Sequence, residues 1–130
     1  MHAPVTALYA GLLALLLIAL AARVPLLRRK HRVGIGSGGN PELALAVRVH
    51  GNATEYVPAA VLLLLLAELN GLPAWSLHAA GSGFFLARIV HAVGLGGNAG
   101  YSTARFLGTA LSWLVIAVLA ATLIFNMLVR

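Results

Sequence analysis

Four long apolar stretches, separated by three short polar or glycine-rich connections, restrict this chain to one kind of fold. Each stretch exceeds the roughly 20 residues a helix needs to cross about 30 Å of hydrocarbon. Lipid offers the backbone no hydrogen-bond partner, so stretches of this length cross as helices with internal bonding. The expected helices cover about 4–29, 41–69, 73–93 and 103–129. Several ends have local causes. Asn40-Pro41-Glu42 reads as an N-cap, a first-turn proline and a first-turn acid. Asn70-Gly71 carries the residues of a helix C-terminus, and Ser102 or Thr103 suits the cap of the fourth helix. The glycine-rich runs 33–39 and 94–100 cannot sustain a helix. Pro58, inside the second helix, is expected to kink it. The fold class is all-α: one integral membrane four-helix bundle over residues 1–130.

Composition agrees and removes several functions. The chain is 61% hydrophobic and 9% charged, with a mean hydropathy of +0.95, where a soluble domain carries about 25% charged residues. No cysteine is present, which excludes disulfides, a thiolate metal site and a cysteine nucleophile; thiol chemistry would need a thiol brought by the substrate. The five histidines show neither HxxxH nor HExxH spacing, so no metal is expected. Five of the nine basic residues fall between Arg23 and Arg32. They flank an apolar helix rather than a soluble module, so contact with anionic lipid and control of topology are expected instead of nucleic-acid binding. Met1 to Ala22 has its positive charges after the apolar run, not before it, and reads as a retained helix rather than a signal peptide. The first connection is basic and the second, between Asn70 and Pro73, is uncharged. The positive-inside bias therefore places connections one and three in the cytoplasm and both termini on the periplasmic side.

Against this background a polar stripe stands out. Arg48, Asn52 and Glu55 lie at i, i+4 and i+7, within about 60° of one helix face. A charge at the centre of a membrane helix costs about 2.5–3.5 kcal/mol, so such residues face a protein interior or a polar cavity and mark function. Tyr56 flanks the stripe. Arg48 and Glu55 are separated by about 10 Å of helical rise, so each is expected to need a partner from another helix, another subunit or a ligand. Asn52 alone suits an interhelical hydrogen bond equally well. Arg88 and His91 lie at i, i+3 near the end of helix three, where the helix dipole favours a cation. Arg105, in the first turn of helix four, opposes that dipole and makes more sense with an anion drawn to the same helix end. Arg28, Arg29 and Lys30 suit snorkelling to head groups, and Glu68, at the far interface, needs no special role. All four helices place their unusual polar groups toward one side, which reads as a single polar site in the cytoplasmic leaflet.

The segment Arg48-x-x-x-Asn52-x-x-Glu55-Tyr56-x-Pro58 resembles the MAPEG superfamily, the membrane-associated proteins in eicosanoid and glutathione metabolism. Gly38-Gly-Asn-Pro41 before helix two and Ala67-Glu-Leu-Asn70 at its end are similar to the bacterial branch, and the likeness extends over nearly the whole chain. The resemblance implies a homotrimer with glutathione, as co-substrate, held between subunits near the cytosolic face. It implies that Arg48, Asn52, Glu55 and Tyr56 bind glutathione, with His50 where leukotriene synthases have glutamine. Arg105 matches the arginine that holds the thiolate. Arg29, Arg88 and His91 join the expected glutathione contacts; His91 and Leu95 fall where those synthases carry tyrosines, a departure bearing on the eicosanoid substrate.

The residues fit that chemistry independently. Arginine's planar fork suits the two carboxylates of glutathione, and Glu55 its ammonium. A free thiol titrates near about 8.5, and a desolvated cation beside the sulfur favours the thiolate. The expectation is a glutathione S-transferase or peroxidase-like enzyme of the bacterial inner membrane, with Arg105 catalytic and an apolar electrophile entering from the bilayer. Two alternatives stay open. One is a non-catalytic lipid- or fatty-acid-binding member. The other is a small multidrug transporter, which would carry an essential carboxylate in helix one, where this chain has no acid.

Overall fold

The computed structural model describes residues 2–96 and 102–129, residues 95 and 96 by their backbone alone. The expectations placed on Leu95 and on connection three thus lie largely outside the described residues. Four helices follow in order: α1 (Pro4–His31), α2 (Pro41–Leu69), α3 (Ala74–Gly96) and α4 (Thr103–Val129). The fold is all-α, as the apolar lengths predict.

The helix ends show why they fall where they do. Asn40 is extended, and its Oδ1 accepts the Leu43 N–H at 3.0 Å, the N-cap bond that starts α2. At the other end Gly71 has φ +80°. Its N–H reaches the Glu68 carbonyl at 3.0 Å and the Leu72 N–H reaches Ala67 at 3.1 Å, the paired closure of a Schellman motif. α1 runs to His31, past the expected end near 29. Its basic last turn suits the helix dipole, and it closes in the same way with Arg32, a non-glycine residue at φ 56°, in the left-handed position. α2 passes through Pro58 without interruption. α3 runs to Gly96, not to about 93, and the reason is tertiary. A Cβ on Gly94 would stand 2.7 Å from the Arg105 backbone nitrogen. The bare glycine therefore lets the end of α3 lie against the first turn of α4 while staying helical.

Successive helices are antiparallel. α1 and α4 occupy opposite corners of the array, their described backbones never within 8 Å of one another, and share only side-chain packing in the core, whereas α2 and α3 approach across the short diagonal. Three apolar layers hold the bundle. Leu27, Leu43 and Ala46 fill the end near the α1–α2 connection. Leu13, Val57, Ala60 and Phe84 fill the middle, and Val5, Tyr9, Leu64, Ala67, Leu77 and Leu119 fill the end near the α2–α3 turn. Leu15, Ile18, Leu62, Trp113, Leu114, Val118 and Ile124 all point outward and are exposed. Helices α1, α2 and α4 are each long and apolar enough to cross a membrane. The outward apolar surface is thus the surface that faces lipid, and the chain is an integral membrane protein. α3 is not among those three over its described residues, where Ser76, His78, Ser82, Arg88 and His91 lower its hydropathy.

Glu68 has a role that its sequence position did not disclose. Ala3, the residue before α1, offers no capping side chain. Glu68 supplies the cap from α2: Oε1 accepts the Val5 N–H at 3.0 Å and Oε2 accepts the Thr6 N–H at 2.7 Å. A carboxylate on free N–H groups at a helix start is favoured by both hydrogen bonding and the dipole.

Candidate functional site

Between the first and second apolar layers, α2, α3 and α4 enclose an open cavity of about 360 Å³. It is lined by Arg48 and Asn52 from α2, His91 from α3, and Ser102, Arg105, Phe106 and Thr109 at the start of α4. No carboxylate is among these lining residues. The cavity exists because α3 and α4 approach closely on either side of it. A Cβ on Gly108 would meet the Ala87 carbonyl oxygen and the His91 backbone nitrogen, both at 2.7 Å. Gly94 allows the matching approach one turn away.

Arg105 is half-buried at the mouth of α4. Its backbone N–H points to the capping Ser102 Oγ at 3.5 Å, and Thr109 Oγ1 donates to its carbonyl at 3.0 Å. The guanidinium itself makes no hydrogen bond or ion pair among the described residues. A free cation thus stands beside a helix N-terminus, a combination that attracts an anion.

Arg48 and Glu55 do contact one another, contrary to the expectation that the helical rise keeps them apart. Arg48 Nη1 lies 3.4 Å from Glu55 Oε1. Helical side chains lean toward the N-terminus, so Glu55 leans back and the long arginine reaches up to it across two turns. The inference that each needs an outside partner therefore fails on distance. The pair is open to solvent, with side chains 67% and 51% exposed, and a pair of that kind contributes only about 0–1 kcal/mol. On its other side Arg48 borders a second cleft of about 410 Å³, formed by Gly36, Ser37, Ala44, Val47 and Gly51.

Beneath the cavity lies Arg88, which does not line it. This guanidinium is 1% exposed. Its Nη2 donates to Asn52 Oδ1 at 2.8 Å and to His91 Nδ1 at 3.2 Å, and its Nη1 to Ser112 Oγ at 3.5 Å. The Tyr56 ring sits 5.9 Å from its central carbon, close enough for a cation–π contact. Arg88 and Tyr56 therefore support the cavity from behind rather than facing it. Arg29 is exposed at the end of α1 and His50 half-buried on α2, and neither reaches the cavity. Of the expected site residues, the fold brings Arg48, Asn52, His91 and Arg105 to one opening, with Glu55 beside it.

Ser102, Phe106 and Thr109 were not among the expected site residues. The signal was present: Ser102, Arg105, Thr109 and Ser112 fall at i, i+3, i+7 and i+10, a polar stripe along an otherwise apolar helix.

Comparison with known proteins settles the family. The profile of the MAPEG family matches residues 6–125. The chain belongs to the MAPEG family. It is also similar to the inner membrane protein YecN of Escherichia coli, in strains K12 and O6:H1, with 46% identity over 90 residues that make up 69% of each chain.

Proposed function

We propose that this MAPEG protein is a membrane-bound glutathione S-transferase or peroxidase-like enzyme. Glutathione would act as co-substrate, an apolar electrophile would enter from the bilayer, and the working unit would be a homotrimer. The observation that carries the reading is the cavity itself: two arginines, an asparagine and a histidine converge with no acid among the lining residues. Glutathione presents two carboxylates, one ammonium and one thiol. Arg48 matches a carboxylate through its fork. Glu55 matches the ammonium, and the exposed pair that these residues make with one another opens at little cost when a zwitterion replaces it.

Arg105 is the group we assign to the sulfur. Its free guanidinium and the α4 N-terminus together stabilise a thiolate against a thiol. The thiolate attacks the electrophilic carbon, an S–C bond forms, and the leaving group departs with its electron pair. The thiol proton leaves through the open mouth of the cavity. Phe106, exposed and adjacent to Arg105, gives an apolar electrophile a surface beside the sulfur. Arg29 and His50 lie outside the cavity of one protomer, so contacts from them would come across a cleft between protomers, as would closure of the second opening beside Arg48. The basic α1–α2 connection would lie in the cytoplasm, with both termini periplasmic.

The test is calorimetric titration of the detergent-solubilised protein with glutathione, together with thiolate absorbance at the ultraviolet edge. Heat of binding with a thiolate signal is the expected result. Absence of both would overturn the enzyme reading and favour the lipid-binding alternative.

A further inference from the structure

Arg88 is a fully buried cation with no carboxylate partner among the described residues, and its Nε is buried without a hydrogen-bond partner. That is a costly group to hold inside a membrane bundle. Its three contacts share one chemical property. A guanidinium has donors only, so every atom it bonds must be an acceptor. The two hydrogens of Nη2 reach Asn52 Oδ1 and His91 Nδ1 at 2.8 Å and 3.2 Å. Donor-only chemistry then dictates two orientations. The Asn52 oxygen faces Arg88, which turns its NH₂ group away. The His91 Nδ1 lone pair also faces Arg88, which puts the ring proton of the neutral imidazole on Nε2. Ser112 obeys the same logic: its oxygen accepts from Arg88 at 3.5 Å while its hydroxyl donates to the Gly108 carbonyl at 2.7 Å.

Asn52 and His91 both line the cavity, whereas Arg88 does not. We propose that Arg88 is a positioning residue that occupies the acceptor atoms of Asn52 and His91, turns their N–H groups into the cavity, and so selects a ligand carboxylate there. With Arg48 and Arg105 the ligand meets a wall made mostly of donors. The side-chain acceptors left among the lining residues are the hydroxyl oxygens of Ser102 and Thr109, so an anionic oxygen finds more partners there than an ammonium does. The proposal rests on the glutathione reading only for its binding probe.

Two measurements decide it. The first needs no ligand. With imidazole nitrogens labelled and His91 assigned by the signal lost in His91→Gln, nitrogen NMR of the detergent-solubilised protein reads which ring nitrogen carries the proton. The expected result is His91 wholly in the Nε2–H form, shifting to a tautomer mixture in Arg88→Leu. A proton on Nδ1 in the parent protein overturns the proposal. If Arg88→Leu does not fold, the parent spectrum still decides. The second is Asn52→Asp, which keeps an acceptor toward Arg88 but replaces the cavity-facing donor with a second anionic oxygen. Glutathione affinity should fall at least tenfold while the thermal midpoint holds or rises. Unchanged affinity, or a lowered midpoint, overturns the orientation assigned to Asn52. If the parent binds no glutathione, the enzyme reading falls, and the tautomer measurement still judges Arg88 by itself.

Discussion

The two halves of the bundle treat their polar groups in opposite ways. Near the α2–α3 turn the ionisable side chains Glu68 and His78 find their partners within the chain. Glu68 takes the free N–H groups of Val5 and Thr6. The Tyr9 hydroxyl lies 3.1 Å from His78 Nδ1 and 3.2 Å from the His78 carbonyl. The apolar cleft among Tyr9, Leu64, Gly81 and Leu119 is about 10 Å³, about one water in size. The open cleft of about 330 Å³ at the turn itself, between residues 70–73 and the end of α4, is lined by no charged side chain among the described residues. Near the α1–α2 connection the 360 Å³ cavity is lined by two arginines, and the guanidinium of Arg105 is left without a partner among the described residues. The difference separates polar groups that hold helices together from polar groups kept available. Interiors of membrane bundles tolerate ionisable groups at a cost, so an arginine unpartnered among the described residues in one half, where Glu68 and His78 in the other half are both bonded, marks the half that meets a ligand.

The strongest way to break that contrast is Arg105→Ala. On the proposed reading the arginine favours a charge that exists only on the ionised sulfur, so its loss depresses turnover more than affinity. Removal of one such electrostatic donor lowers rates by about 10²–10³. Turnover with an aryl halide should fall by that order while glutathione affinity, read by calorimetry, changes little. An equal fall in affinity would make Arg105 a binding group for the ground state, and an unchanged rate would move the sulfur contact elsewhere. The opposite half is probed by Gly81→Ala. A Cβ at Gly81 would overlap the Tyr9 ring, which is 93% buried by its 7% exposure and cannot withdraw. Overpacking of this kind costs about 1–3 kcal/mol. The thermal midpoint should drop with the glutathione affinity of the folded fraction retained; a neutral effect would show that the closed half is looser than its packing.

Much of this division was legible in the sequence, and the parts that were not share a cause. The four helices follow from apolar length, and Asn40 and Asn70-Gly71 mark their ends because caps are local: three or four residues contain the donor, the acceptor and the glycine. The extension of α3 to Gly96 was not legible, since it depends on Gly94 meeting Arg105 across the α3–α4 interface. The Arg48–Glu55 contact was misjudged because rise along a helix axis measures backbone separation, not the reach of two long side chains. Glu68 was passed over for a third reason. Its partners, Val5 and Thr6, are more than sixty residues away in sequence, and backbone N–H groups leave no trace in residue identity. Arg88 was visible as a cation near a helix end. That it lies behind the cavity rather than in it depends on the rotation of α3, which Gly81, Gly108 and the small residues around them set.

Glu68→Ala sharpens the comparison at smaller scale. It removes a charged cap from two N–H groups in the closed half and touches nothing near the cavity. Loss of a helix cap costs about 0.5–2 kcal/mol. The expected outcome is a lower thermal midpoint and faster amide exchange confined to the first turn of α1, with glutathione affinity held. Exchange spreading to the start of α4, at the cavity and far from the first turn of α1, would mean that the two halves are not mechanically separate.

The smallest expected effect is the one that most tests what the open half is for. Arg48 and Glu55 form an ion pair in the absence of ligand, and such a contact has two interpretations. If it fastens α2, the pair is a structural element like Glu68 and the contrast between the halves weakens. If it is a resting arrangement, the two side chains hold one another only until a carboxylate and an ammonium arrive. A double-mutant cycle separates these, using Arg48→Ala, Glu55→Ala and the pair, with stability measured without glutathione. Side chains that are 67% and 51% exposed should couple by about 0–1 kcal/mol, since solvent screens the attraction and ordering two long chains offsets what remains. A buried or networked pair would instead lose about 3–5 kcal/mol when one partner is removed. Each single variant should weaken glutathione binding although neither changes the unfolding free energy by more than about 0.5 kcal/mol, the ordinary range for exposed substitutions. A coupling near the buried value would return Arg48 and Glu55 to the scaffold. The cavity would then keep only Asn52, His91 and Arg105 for its ligand, too few groups to recognise both ends of a tripeptide.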